Sequence, residues 1–121
     1  MKFVPKRGDL IWLNFSPAAG HEQAGRRPAL VLSHESYSRN SGMAVVCPIT
    51  SRAKGYPFEM EIGLGAPASG VVLADAIRNI DLRVREPEFI GKAPTATLDR
   101  VCAAVAELLT LKLPSPTDRS V

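Results

Sequence analysis

Cysteine, histidine and long apolar runs are all scarce in this chain, and each shortage removes a class of answer. The 121 residues hold two cysteines and two histidines. Cys47 lies in VVCPIT and Cys102 in VCAAVAELL. Both sit among core-like neighbours and make no CxxC pattern, which argues against a disulfide framework and predicts buried free thiols. His21 and His34 have no close ligand partners, which argues against a structural zinc, and no cofactor is expected. No apolar stretch approaches the ~18 residues of a membrane span, and the first residues carry no signal-peptide hydrophobic region. The expectation is a soluble cytoplasmic protein with no membrane association.

What is present describes an ordinary folded domain. Hydrophobic residues are 45% and charged residues 22% of the chain, far from the composition of disordered polymers. The length suits a single core, so one domain over residues 1–113 with a flexible tail at 114–121 is expected. The net charge of +3 is unevenly placed. Residues 1–27 hold Lys2, Lys6, Arg7, Arg26 and Arg27 against Asp9 and Glu22, so the whole excess lies in this first quarter. An anion-binding surface begins there.

Along the chain, GDLIWLNF alternates Ile11, Leu13 and Phe15 with Leu10, Trp12 and Asn14, a strand with both faces partly apolar. SPAAGHEQAGRRP, with two glycines and two prolines, predicts a loop of about a dozen residues, a length usually kept for function or disorder. PALVLS, MAVVCPIT, FEMEI and GVVLAD read as further short strands, with room for a helical turn in HESYSRNSG and a hairpin loop in GLGAPASG. Five or six short strands in succession point to a small barrel. The period then changes. Leu98, Val101, Cys102, Val105, Leu108 and Leu109 recur at three and four, predicting an amphipathic helix capped by Thr95 or Thr97, with Asp99 in its first turn and Pro114 beyond its end.

Three polar clusters carry candidate chemistry. In GHEQAGRRPALVLS, Pro28 pushes Arg27 toward extended geometry at a loop-to-strand junction. A guanidinium held there matches a phosphoryl oxyanion and is poorly suited to removing a proton. Glu22 and His21 are acid/base candidates in the preceding loop, against the plainer alternatives of a Glu22–arginine ion pair and a solvated histidine. Thr50 and Ser51, followed by Arg52 and Lys54, combine hydroxyls and cations suited to a phosphate, or form an ordinary polar strand end. In DAIRNIDLRVR, Asp75, Arg78, Asn79, Arg83 and Arg85 could line a groove or pair with Asp81, Glu86 and Glu88.

The blocks RGDLIWLNFSP, GHEQAGRRPALVLS, CPITSRAKGYPFE and GVVLADAIRNIDLRVR, in that order over residues 6–110, resemble the MazF/PemK family of toxin endoribonucleases. The resemblance implies a mainly β fold, a small SH3-like barrel with a short helix and a C-terminal helix, assembled as a homodimer. It implies metal-independent cleavage of single-stranded RNA at a short sequence, and a labile MazE-like antitoxin whose acidic tail fills the RNA groove. Arg27, Thr50 and Glu22 match the family's catalytic positions. Attack of the ribose 2′-hydroxyl on the adjacent phosphate, leaving a 2′,3′-cyclic phosphate, is the implied reaction, and it spares DNA. Glu22 is then the favoured general base with His21 as backup, Arg27 stabilises the phosphorane charge and is a candidate proton donor to the leaving oxygen, and Thr50 donates to a phosphate oxygen. Asn14, Gln23, Lys54, Asp75 and Arg78 are candidate RNA contacts, and the loops 16–24 and 51–57 are expected to set base preference. One departure from some members is Leu73, which stands where they carry a basic catalytic residue. Two other readings share the fold or the charge: a non-enzymatic toxin that binds and poisons DNA gyrase, and a passive RNA-binding module.

Overall fold

The computed structural model describes residues 3–15 and 25–110. Its centre is strand β3 (Met43–Thr50), whose eight residues include the β-branched Val45, Val46, Ile49 and Thr50. On one side β3 pairs antiparallel with β2 (Arg26–Val31), and β2 pairs with β1 (Asp9–Asn14). On the other side it is shared: Met43–Val46 pair with β6 (Arg78–Asp81), and Ile49–Thr50 pair with β5 (Val71–Leu73). Strand β4 (Glu59–Glu61) adds to β5 and β7 (Glu88–Lys92) adds to β1. Among the described residues three α-helices accompany these seven strands: α1 (Glu35–Ser41), the single turn α2 (Leu82–Arg85) and α3 (Thr95–Leu108).

Alternation sorts the apolar residues onto two faces. Leu10, Leu30, Cys47, Ile49 and Val72 pack with Val101, Ala104 and Val105 of α3. Ile11, Leu13, Phe15, Ala29, Val31, Ala44, Val46 and Ile80 form the other cluster, closed by Leu82 of α2. The predicted barrel is present as a curled sheet. Among the described residues β4 and β7 end the strand order with no ladder between them, and β6 pairs with β3 alone. Packing covers that gap instead: a Cβ on Gly91 of β7 would lie 2.6 Å from Pro67 Cγ, so the loop joining β4 to β5 rests directly on the β7 backbone. At the other end of the curl, Arg85 donates through Nη1 to the Asn14 carbonyl at 3.5 Å.

Several local expectations change. The expected strands FEMEI and GVVLAD shrink to three residues each, and Ala74–Ala76 forms a 3-10 turn. The DAIRNIDLRVR segment, read only as a charge cluster, supplies β6 and α2. Neither threonine caps α3: Pro94 holds the N-cap position, and the buried Thr97 hydroxyl instead donates to the Ile62 carbonyl, pinning the helix to the end of β4. Asp99 falls a full turn into the helix. Leu108 and Leu109, placed on the apolar face by their spacing, are exposed, and Ala104 and Ala106 are buried in their stead because small side chains let the helix sit close to the sheet. Cys102 is only half-buried. The expected tail at 114–121 lies outside the described residues. No helix among the described residues is long and apolar enough to cross a membrane.

Cys47 is wholly buried, and burial, followed by the Cys102 and Asp75 charges, pushes its thiol up from 9.0 to about 12. Raised folded-state values mean that the neutral form is favoured in the native protein. The resulting stability is fully present below pH 9.0 and is lost as pH rises toward 12. Urea titrations at pH 8 and pH 10 should therefore show a loss about 1 kcal/mol smaller in Cys47→Ala than in the native chain; equal losses would place the thiol in a solvated setting.

Candidate functional site

The β2–β3 ladder ends at the pair Ala29–Pro48, two residues before Arg27 on one strand and Thr50 on the other. Because side chains alternate, both residues fall on the face of the second cluster, just beyond its last rung. Arg27 is paired with Leu13 of β1, half-buried, and anchored by the following Pro28. Thr50 is 8% exposed, paired with Val71 of β5, and its Oγ1 accepts the Arg52 N–H at 3.1 Å. That bond leaves the hydroxyl proton available to donate. The arrangement sets a cation and an oriented hydroxyl on one face at neighbouring strand ends, donor types suited to phosphate oxygens.

Arg78 joins the same face from across the curl. It opens β6 opposite Val46, and its guanidinium carbon lies 5.4 Å from the centroid of the Phe15 ring. Cation–π contact holds this charge beside the last described residue before 16–24. Asn14 ends β1 opposite Arg26. Lys54 lies in the exposed turn after Thr50, where its backbone N–H and that of Gly55 both donate to the Glu59 carboxylate at 2.8–3.1 Å. Asp75 is exposed in the 3-10 turn, where its charge acts on Cys47. His21, Glu22 and Gln23 lie outside the described residues.

The other charges of the third cluster are engaged elsewhere. Asp81 caps α2, accepting from the Arg83 backbone at 2.9 Å and from its guanidinium at 3.0 Å; these bonds hold the Asp81 carboxyl below its usual range and raise Arg83. The Asn79 side chain accepts from the Tyr37 hydroxyl at 3.1 Å. His34 is a helix cap whose Nδ1 accepts the Ser36 N–H at 3.2 Å. Among the described residues no group of three His, Cys, Asp or Glu side chains is placed to hold a metal ion.

On the α3-bearing face, behind the strand ends, sits an open cleft of about 380 Å³. Trp12, Arg26, Pro28, Ser51 and Ile90 line it, the loop residues Pro67–Ser69 wall it, and Arg27 stands at its rim. Sequence reasoning did not single out Trp12 or Arg26 for this cleft. The available signal was the run of cations from Arg26, combined with a tryptophan at the half-apolar face of β1.

Residues 6–109 match the family described as the PemK-like, MazF-like toxin of type II toxin–antitoxin systems. The Escherichia coli K12 endoribonuclease toxin MazF is 41% identical over 108 residues, covering 89% of this chain and 96% of that protein. Bacillus subtilis endoribonuclease EndoA is 31% identical, covering 89% and 97%. Among solved structures, Deinococcus radiodurans MazF superposes with a TM-score of 0.86 at 50% identity, covering 90% of this chain and 99% of that one. The MazF of a MazE–MazF complex from the same organism gives 0.80 at 44%, covering 91% and 99%.

Thr50 owes its position to a glycine. Gly70 precedes β5 with φ +119°, and a Cβ there would overlap the Thr50 carbonyl oxygen and sit 3.0 Å from its carbonyl carbon. Gly65 has a similar positive φ of +81° but nothing within 4 Å. Gly65→Ala should thus lose about 1 kcal/mol of stability from backbone strain alone, and Gly70→Ala about 2–4 kcal/mol, read from urea midpoints. Equal losses would show that the close approach to Thr50 is immaterial.

Proposed function

We propose, for a chain that belongs to the PemK-like, MazF-like toxin family and is an endoribonuclease of a type II toxin–antitoxin system, that Arg27 and Thr50 grip the scissile phosphate of single-stranded RNA and that the RNA supplies its own nucleophile. The observation that carries this reading is the placement of both side chains on one face at the ends of adjacent strands. The 2′-oxygen attacks the adjacent phosphorus as its proton passes to a base, for which Glu22 is assigned and His21 held in reserve. A pentacoordinate phosphorane forms, the P–O5′ bond breaks, and the leaving O5′ takes a proton. The products are a 2′,3′-cyclic phosphate and a 5′-hydroxyl. Arg27 stabilises the added negative charge, and Thr50 donates to a non-bridging oxygen. No step calls for a metal ion, because the nucleophile is a substrate hydroxyl and the charge is met by a guanidinium.

Arg78 beside Phe15, with Asn14, Gln23, Lys54 and Asp75, is assigned to flanking nucleotides. Messenger RNA is the proposed target, with arrest of translation and growth as the outcome, and the cytoplasm the place of action. An antitoxin partner is supported by relatives solved as MazE–MazF complexes; competition for the RNA groove by a MazE-like acidic tail is the proposed means of inhibition, and a homodimer the proposed assembly. The gyrase-poisoning alternative is not supported: the curated relatives are named endoribonucleases.

Cleavage of a long single-stranded RNA should persist in EDTA. Arg27→Ala should slow it about 10²–10³-fold while leaving folding intact, the loss of one charge-stabilising donor. Activity abolished by EDTA, or an Arg27→Ala variant as fast as the native protein, would overturn the assignment.

A further inference from the structure

Trp12 is out of place by the standards of its own strand. Its neighbours Leu10, Ile11 and Leu13 in β1 are wholly buried, yet Trp12 is 38% exposed, in a strand covered on both sides by β2 and β7. Across the three strands it stands in one row with Pro28 and Glu88. One position further along the same face of β2, Arg26 reaches across β1, and its Nη2 meets Glu88 Oε1 at 3.3 Å. Both partners of that ion pair are open to water, with side-chain exposures of 37% and 69%. An exposed pair of this kind contributes little to stability, so its exchange for another anion is cheap.

We infer that the cleft around Trp12 takes one nucleotide of the RNA, next to the phosphate held at Arg27, with the base stacked on the indole and its phosphate on Arg26 in place of Glu88. The inference rests on the nuclease reading, since it extends the same strand from Arg27 at the rim. The cleft's volume of about 380 Å³ lies within the range of small-ligand sites. Its chemistry is that of a single-stranded nucleic-acid platform: an aromatic face, apolar walls from Pro28, Ile90 and Pro67, and guanidinium groups at the edge. Glu88 is then a built-in competitor that occupies Arg26 when RNA is absent. Stacking tolerates any base, so this subsite adds affinity without setting the recognised sequence.

Trp12 is the chain's one tryptophan, so its fluorescence reports this cleft alone. The probe is a fluorescein-labelled 2′-O-methyl RNA 12-mer of random sequence, which lacks the attacking hydroxyl and stays intact; unmodified RNA is assayed for cleavage in parallel. An unlabelled copy should quench Trp12 as it saturates the native protein. By anisotropy of the labelled probe, Trp12→Leu should weaken binding about tenfold. Arg26→Gln should weaken it and lower the salt-dependence slope by about 0.7. Glu88→Gln should tighten it several-fold, which a purely structural role for Glu88 would not produce. Cleavage by the native protein together with an unresponsive Trp12 and unchanged affinity in Glu88→Gln overturns the subsite while leaving the nuclease reading standing. An indole already shielded from acrylamide in the free protein overturns it too, by assigning the cleft to a second copy of the chain. Absence of any cleavage removes the nuclease reading itself, whatever Trp12 does.

Discussion

The fold hangs on the divided pairing of β3. One edge of this strand runs against β2, and the other gives its first half to β6 and its last two residues to β5. The two partners follow one another in the chain, which turns at Ala74–Ala76 between them as the sheet curls. The curl brings β6 and α2 round to the end of β1, where Arg78 meets Phe15 and Arg85 meets the Asn14 carbonyl. It also leaves Thr50 gripped at its backbone by Val71 and crowded by Gly70, so that its hydroxyl is carried on a rigid strand end. Side chains set on strand ends in this way are held more closely than side chains on loops.

How much of this was legible in the sequence depended on whether the signal was local. MAVVCPIT has β-branched residues along its length and a turn at either end, and β3 follows it residue for residue. The alternation in GDLIWLNF likewise sorts Ile11, Leu13 and Phe15 from Leu10. Short, charged RNID carried no such pattern. It becomes a strand only because β3 offers it a free edge, a tertiary effect that outweighs weak propensity. The same holds for Thr97, whose hydroxyl forgoes its local cap for the Ile62 carbonyl. At the site, Arg27 and Thr50 were legible as strand-end residues beside Pro28 and within a family pattern; that they share a face beyond the last β2–β3 rung needed the register.

The two faces divide the work. One face of the strand ends presents Arg27, Thr50 and Arg78, each fixed by backbone pairing or by an aromatic ring, and is suited to phosphate chemistry. The opposite face presents Trp12 and Arg26 beside a cleft, with Glu88 as a resident anion. Arg27 stands at the rim between them, and the chain's excess of cations lies in the first quarter of the sequence, where these strands begin.

The central claim is that Arg27 and Thr50 act on one and the same phosphate. A double-mutant cycle on single-turnover RNA cleavage tests it most directly, with Arg27→Ala, Thr50→Val and the double variant compared under one set of conditions. If the two side chains hold a common phosphate, Thr50→Val slows the native enzyme strongly but the Arg27→Ala enzyme far less, and the effects fall well short of multiplying. Fully multiplicative losses would mean that the two residues act independently, and would contradict the account.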